Sequence, residues 1–133
     1  MKENSTSNLL RTTLKINGLF SLLTMTAAIL FWQSSQALRE MANNSLTPFI
    51  IQSVVFAGFV FFNAFRKDIS KVMIYIIIVL DTLYVVGSLI RIIADIEVSL
   101  AGKIVIGFTA LLVAEFAYFQ YKGLKLATGK ANT

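Results

Sequence analysis

The sequence has no cysteine, no histidine and a single proline, Pro48. Without cysteine there is no disulfide framework, no thiolate nucleophile and no thiolate metal site. Without histidine the commonest base near neutral pH and the commonest metal ligand are missing. Charge is scarce too. Charged residues make up 14% of the 133 positions, against about 25% in soluble domains. Hydrophobic residues reach 56% and mean hydropathy is +0.74. This composition excludes a soluble enzyme, a disordered tail and a coiled coil. No Gly-x-Ser-x-Gly elbow, P-loop or GxGxxG is present either. The expectation is a non-enzymatic membrane protein with no cofactor and no metal.

What is abundant is long apolar sequence. Four runs, 14–32, 48–65, 72–93 and 102–121, match the roughly 20 residues of a helical span. They are too long, and alternate too little, for barrel strands of about 9–11 residues. In lipid such a run must satisfy its own backbone, so it becomes a helix. The prediction is all-α: a single domain over residues 1–133 forming a four-helix transmembrane bundle. Short connections predict antiparallel neighbours. Thr47 reads as N-cap with Pro48 in first helical position. Asp68 or Ser70 caps the third span and Ser99 the fourth. Residues 35–43 form either a short interfacial helix or plain loop. Gly58, Gly87, Gly102 and Gly107 are expected at close helix contacts, and the first dozen residues are expected to be loose.

The net charge of +5 belongs to the bilayer and does not call for nucleic acid. Nine basic residues fall in the N-terminal segment, the second connection and the C-terminal tail: Lys2, Arg11, Lys15, Arg66, Lys67, Lys71, Lys122, Lys125 and Lys130. Three, Arg39, Arg91 and Lys103, fall on the other side. That bias predicts both termini in the cytoplasm. A cleaved signal peptide ending at Ser35-Gln36-Ala37 is the competing reading. The apolar run exceeds the usual 7–15 residues or so, so a retained first helix is expected.

Polar side chains inside the spans are the candidate functional residues, because intramembrane charge is costly and normally faces a bundle interior or cavity. At about 100° per residue, Asp81, Tyr84, Ser88, Arg91 and Asp95 share one face of the third span. Asp81 lies about 15 Å along the helix from Lys71. Asn17 and Ser21 share a face of the first span, Gln52 and Asn63 of the second, and Glu115, Phe108, Tyr118 and Lys122 of the fourth. Packing these stripes together gives a polar interior around Asp81. There Asp81 is a proton or cation site, an acceptor for a polar ligand, or a structural carboxyl bonded to Tyr84, Ser88 or the first helix. Glu115 is a relay partner of Asp81, or a carboxyl reaching the inner interface or Lys122. Arg91 contacts an anion or headgroup, or pairs with Asp95 at i+4. Asn17 and Asn63 serve as interhelical hydrogen-bonding groups.

Three segments carry a resemblance: Asn8-Leu9-Leu10-Arg11-Thr12-Thr13-Leu14 with Asn17 and Phe20-Ser21; Asp81-Thr82-Leu83-Tyr84-Val85-Val86-Gly87-Ser88; and Ala117-Tyr118-Phe119-Gln120-Tyr121-Lys122-Gly123-Leu124. The chain resembles a widespread group of small, largely uncharacterised bacterial four-helix integral membrane proteins. Their pattern reads LRxxL…NxxFS, DxxWVxGS and QxxGL. Tyr84 stands where the group has tryptophan, and Glu115 where an apolar residue is expected. The resemblance implies architecture and a bacterial cytoplasmic membrane, without an activity. It singles out Asn17, Ser21, Asp81, Gly87, Ser88 and Gln120. The first span carries no acidic residue, which separates the chain from small multidrug-resistance transporters.

The functional expectation is a protein that binds a small or lipidic ligand, or a membrane partner, around Asp81. The alternatives are a small proton- or cation-coupled transporter using Asp81 with Glu115, and an accessory subunit of a membrane complex. The bilayer itself is the expected partner, and a homodimer is a further possibility.

Overall fold

Four uninterrupted apolar runs, with the only proline confined to a first helical turn, leave the backbone no better option than helix. The computed structural model describes the backbone of residues 2–131 and the side chains of residues 8–126. It contains α1 (Lys2–Leu30), α2 (Gln36–Met41), α3 (Leu46–Phe65), α4 (Lys71–Ala94) and α5 (Leu100–Ala131). There is no strand among the described residues. Four of the helices are long and apolar enough to cross a membrane: Asn8–Leu30, Leu46–Phe65, Lys71–Ala94 and Leu100–Leu126. Only 22% to 33% of each span is buried within the protein. Most of each apolar surface therefore faces outward, as in a protein solvated by lipid. These features mark a multi-pass membrane protein.

The helix ends follow local chemistry. Ser70 Oγ accepts from Met73 N and Ser99 Oγ accepts from Gly102 N, at 3.4 and 3.0 Å. Ser35 Oγ accepts from Leu38 N and starts α2, so the 35–43 segment takes its helical option. The chain then turns into α3 through Asn43 and Asn44, both at positive φ (57° and 56°), a conformation asparagine tolerates better than most residues. The start of α3 departs from expectation. Ser45, not Thr47, is the N-cap, and Pro48 is the third helical residue. Proline fits there because the first four N–H groups lack intrahelical partners in any case.

The N-terminal segment is likewise more ordered than its polarity suggests. The helix begins at Lys2, Leu10 is fully buried, and Arg11 reaches the end of α3. There Arg11 Nη1 donates to the Ala64 carbonyl at 2.9 Å and to that of Arg66, and Nη2 donates to Lys67 O at 3.0 Å. A guanidinium thus collects the carbonyls that a helix C-terminus leaves over.

Around the bundle the order is α3–α1–α5–α4. Helix α1 packs on α3 and α5, α4 packs on α5, and α2 lies against α5. The expectation that consecutive spans are packed neighbours fails for α3 and α4, which touch at only a few points. One apolar cluster joins Leu10, Leu14, Val60, Ala64, Ile74, Ile77 and Leu124. A second joins Met41, Val98 and Ile106. The glycines expected at close contacts divide: a Cβ on Gly102 would lie 2.9 Å from Glu40 Oε2 and one on Gly107 3.5 Å from Ile92 Cδ1. Gly58 and Gly87 face open space, whereas a Cβ on Gly123 would lie 3.1 Å from Leu10 Cβ and 3.3 Å from its backbone. Gly123 therefore sets the α1–α5 approach.

Replacing Arg11 by alanine should lower stability by about 2 kcal/mol, the value of charge-assisted hydrogen bonds to helix-end carbonyls. Arg11→Lys should recover only part of this, because a point charge cannot span three carbonyls. Reversible unfolding in mixed micelles measures both.

Candidate functional site

Asp81 sits on the face of α4 that packs inward, with Ile74, Ile77 and Ser88. It is 3% exposed, although it lies in the middle of an apolar helix. Its donors come from two other helices. Asn17 Nδ2 on α1 and Gln120 Nε2 on α5 both donate to Asp81 Oδ2 at 2.9 Å. Asn17 Nδ2 also donates to Gln120 Oε1 at 2.9 Å. The three side chains form a closed ring; Asn17 is 1% exposed and Gln120 is completely buried. Residues from the three separated segments that carry the resemblance therefore converge at one point. Both donors are neutral amides. They orient the carboxylate without balancing its charge.

The second carboxylate oxygen, Oδ1, accepts no hydrogen bond from the described residues. Asp81 borders a cleft of about 690 Å³ left where α3 and α4 fail to meet. Asn17 and Ser21 of α1 form its polar floor beside Asp81, and Phe56, Phe59, Leu80 and Leu83 supply apolar walls. A smaller space of about 270 Å³ adjoins it through Phe49, Gln52, Leu83 and Tyr84, and extends to Ser88 and Arg91. Thr109 Oγ1 donates to Ile106 O at 2.9 Å. The Tyr84 hydroxyl, 3.2 Å from Thr109 Oγ1, is then the donor in that pair.

Not every candidate joins this site. Glu115 stands on the exposed face of α5, apart from the ring, so the inward stripe expected for the fourth span is turned outward. Gln120 explains this: the two residues are five apart, so they diverge by about 140° around the helix. Asn63 is buried, but its Nδ2 donates to Phe59 O of its own helix and its Oδ1 has no partner, so the expected interhelical bond is not made. Arg91 does not pair with Asp95. Its guanidinium donates to the carbonyls of Glu40 (2.6 Å) and Met41 (3.5 Å), closing the C-terminal end of α2.

That end holds a second polar knot. Glu40 is buried, and accepts from Ser99 N and Ser99 Oγ at 2.6 Å each. The carboxylate lies at the N-terminus of α5, where a negative charge is favoured. Gly102 makes room for it, since a Cβ there would lie 2.9 Å from Glu40 Oε2. The Ser99 hydroxyl, with its backbone amide and the nearby Arg91, holds the Glu40 carboxyl below its ordinary value of 4.5 against the opposing effect of burial. Sequence reasoning expected Ser99 only as a cap, missed its pairing with Glu40, missed Thr109 as the partner of Tyr84, and reached Gln120 only through the resemblance. The one local signal was a carboxylate on a short helix followed much later by a serine cap.

Among the described residues no three carboxylates gather as metal ligands. Comparison with protein-family models, curated proteins and solved structures returns no match.

Asn17→Leu and Gln120→Met should each cost about 1 kcal/mol, as for interhelical hydrogen bonds in membranes. The double variant should depart from additivity, because both donors serve one oxygen; unfolding in mixed micelles reads the cycle. The attachment of α2 should depend on pH. With the folded value of Glu40 depressed, its contribution is fully present above pH 4.5 and is lost as pH falls through the folded value. The protection of the Ser99 amide, its exchange rate relative to the intrinsic rate at the same pH, should fall over that window, and Glu40→Gln should remove this pH dependence.

Proposed function

We propose that the protein is a non-enzymatic, multi-pass protein of a bacterial cytoplasmic membrane that binds an amphiphilic molecule in the cleft between α3 and α4. The apolar body of the ligand lies against Phe56, Phe59, Leu80 and Leu83, and a hydrogen-bond donor at its polar end meets Asp81. The observation that carries this reading is the unengaged Asp81 oxygen at the floor of a largely apolar cleft. Its volume of about 690 Å³ falls within the roughly 300–1,000 Å³ of small-molecule sites. Entry is sideways from the bilayer, through the gap that α3 and α4 leave. Successive spans run in opposite directions with both termini in the cytoplasm. The basic-residue bias supports this, as does a cluster that joins the starts of α1 and α4 to the ends of α3 and α5. A relay using Asp81 with Glu115 is the weaker reading, because Glu115 faces away from the ring.

Dodecylamine and dodecanol, which carry donors, should raise the thermal midpoint of the purified protein in detergent by several degrees. Dodecyl methyl ether, which has none, should not. Asp81→Asn should fold and lose the distinction between donor and ether, and Leu83→Trp should abolish stabilisation by both donors by filling the cleft. Equal stabilisation by the ether, or donor selectivity that survives Asp81→Asn, would overturn the reading.

A further inference from the structure

Glu115 is the ionisable side chain that the Asp81 ring leaves outside. Its depth follows from the ring. Gln120 is level with Asp81, and Glu115 lies five residues along α5 toward Leu100, about 7.5 Å away. From Leu100 it is about 22 Å into the span, and from Lys122 about two turns. A glutamate side chain is too short to bring its carboxyl to either interface from there. It is exposed, and makes no hydrogen bond or ion pair with the described residues. Around it the same face of α5 exposes Phe108 and Tyr118, at 61% and 59%, and Leu111. A carboxyl turned toward acyl chains at this depth is costly, and phospholipid headgroups cannot reach it.

We infer that this face of α5 docks a transmembrane helix of another protein, one that presents a basic or amide side chain at the level of Glu115. A helix is the structure that delivers a donor to the hydrocarbon interior with its own backbone satisfied. Like charge opposes the simplest self-pairing. Two copies related by a two-fold axis along the membrane normal, meeting through α5, set Glu115 against its own counterpart. A lysine, arginine, glutamine or asparagine on the partner supplies what the carboxyl lacks, and Phe108, Leu111 and Tyr118 supply the packing around it. This inference is independent of the ligand proposed for the α3–α4 cleft.

The absence of cysteine allows a single label. A donor fluorophore at Ser34→Cys, in phosphatidylcholine vesicles, reports energy transfer to labelled poly-leucine transmembrane peptides with a central lysine, a central glutamine or neither. The lysine and glutamine peptides should associate about tenfold more tightly than the all-leucine peptide. Glu115→Leu removes no internal hydrogen bond or ion pair with the described residues, so it should fold and erase that difference; Glu115→Gln should retain part of it. Asp81→Asn should leave it intact, which separates this surface from the cleft. Equal association of the three peptides would overturn the inference, as would discrimination that survives Glu115→Leu. So would Glu115-dependent energy transfer between donor- and acceptor-labelled copies of the protein alone.

Discussion

A carboxylate taken into a bilayer must be met by donors, and helix α4 carries none placed to meet its own Asp81. The donors come from α1 and α5, as one amide each. Because Asn17 also bonds Gln120, neither amide can move without disturbing the other. The ring therefore fixes three relations together: the rotation of α4, the rotation of α5 and their common level against α1. Helices α1 and α4 make few direct backbone contacts, so their relation rests on this hydrogen bonding together with the cluster that joins Leu10 and Leu14 to Ile74 and Ile77. Apolar packing alone would specify it poorly, since in lipid one leucine-rich face is much like another.

The same constraint leaves α3 outside. Nothing on α3 reaches Asp81, and the polar attachment of α3 is at its far end, where Arg11 of α1 gathers its last carbonyls. Helix α3 thus follows α1 and not α4, and the space between α3 and α4 is a consequence of which helices supply the amides. At the other end, Arg91 and Glu40 bind α2 to α4 and α5. The cleft opens there into the smaller space lined by Asn43 of the α2–α3 turn. Its long side, between α3 and α4, is the side left unpacked.

The four spans were legible because length and apolar run are set by the thickness of the bilayer, and the inward turn of Asp81 because charge inside a span has few places to go. The partners of Asp81 were less legible. Helical periodicity places residues on a face of their own helix, but does not say which helices are adjacent. Asn17 was visible as a polar residue near the start of the first run. Gln120 sits close to the basic end of the last run, where a glutamine reads equally well as an interface residue. Arg91 and Asp95 matched a familiar i+4 pair, and the structure prefers carbonyls of α2 because a helix end offers acceptors that nothing else fills. The cap at Ser45 and the anchoring by Arg11 were hidden for a related reason. Both depend on a turn or on a contact distant in sequence.

Glu115 shows how one choice decides another. On α5 it and Gln120 point about 140° apart, so only one of them can face Asp81. With Gln120 inside, Asp81 gains a donor and the interior keeps a single carboxyl. Rotating α5 to bring Glu115 inward would remove that donor and set two carboxyls in one low-dielectric space, where like charges are penalised most. The amide is the better occupant of the interior, and the outward position of the acid follows from that preference. The resulting surface is polar at a depth where lipid offers nothing polar.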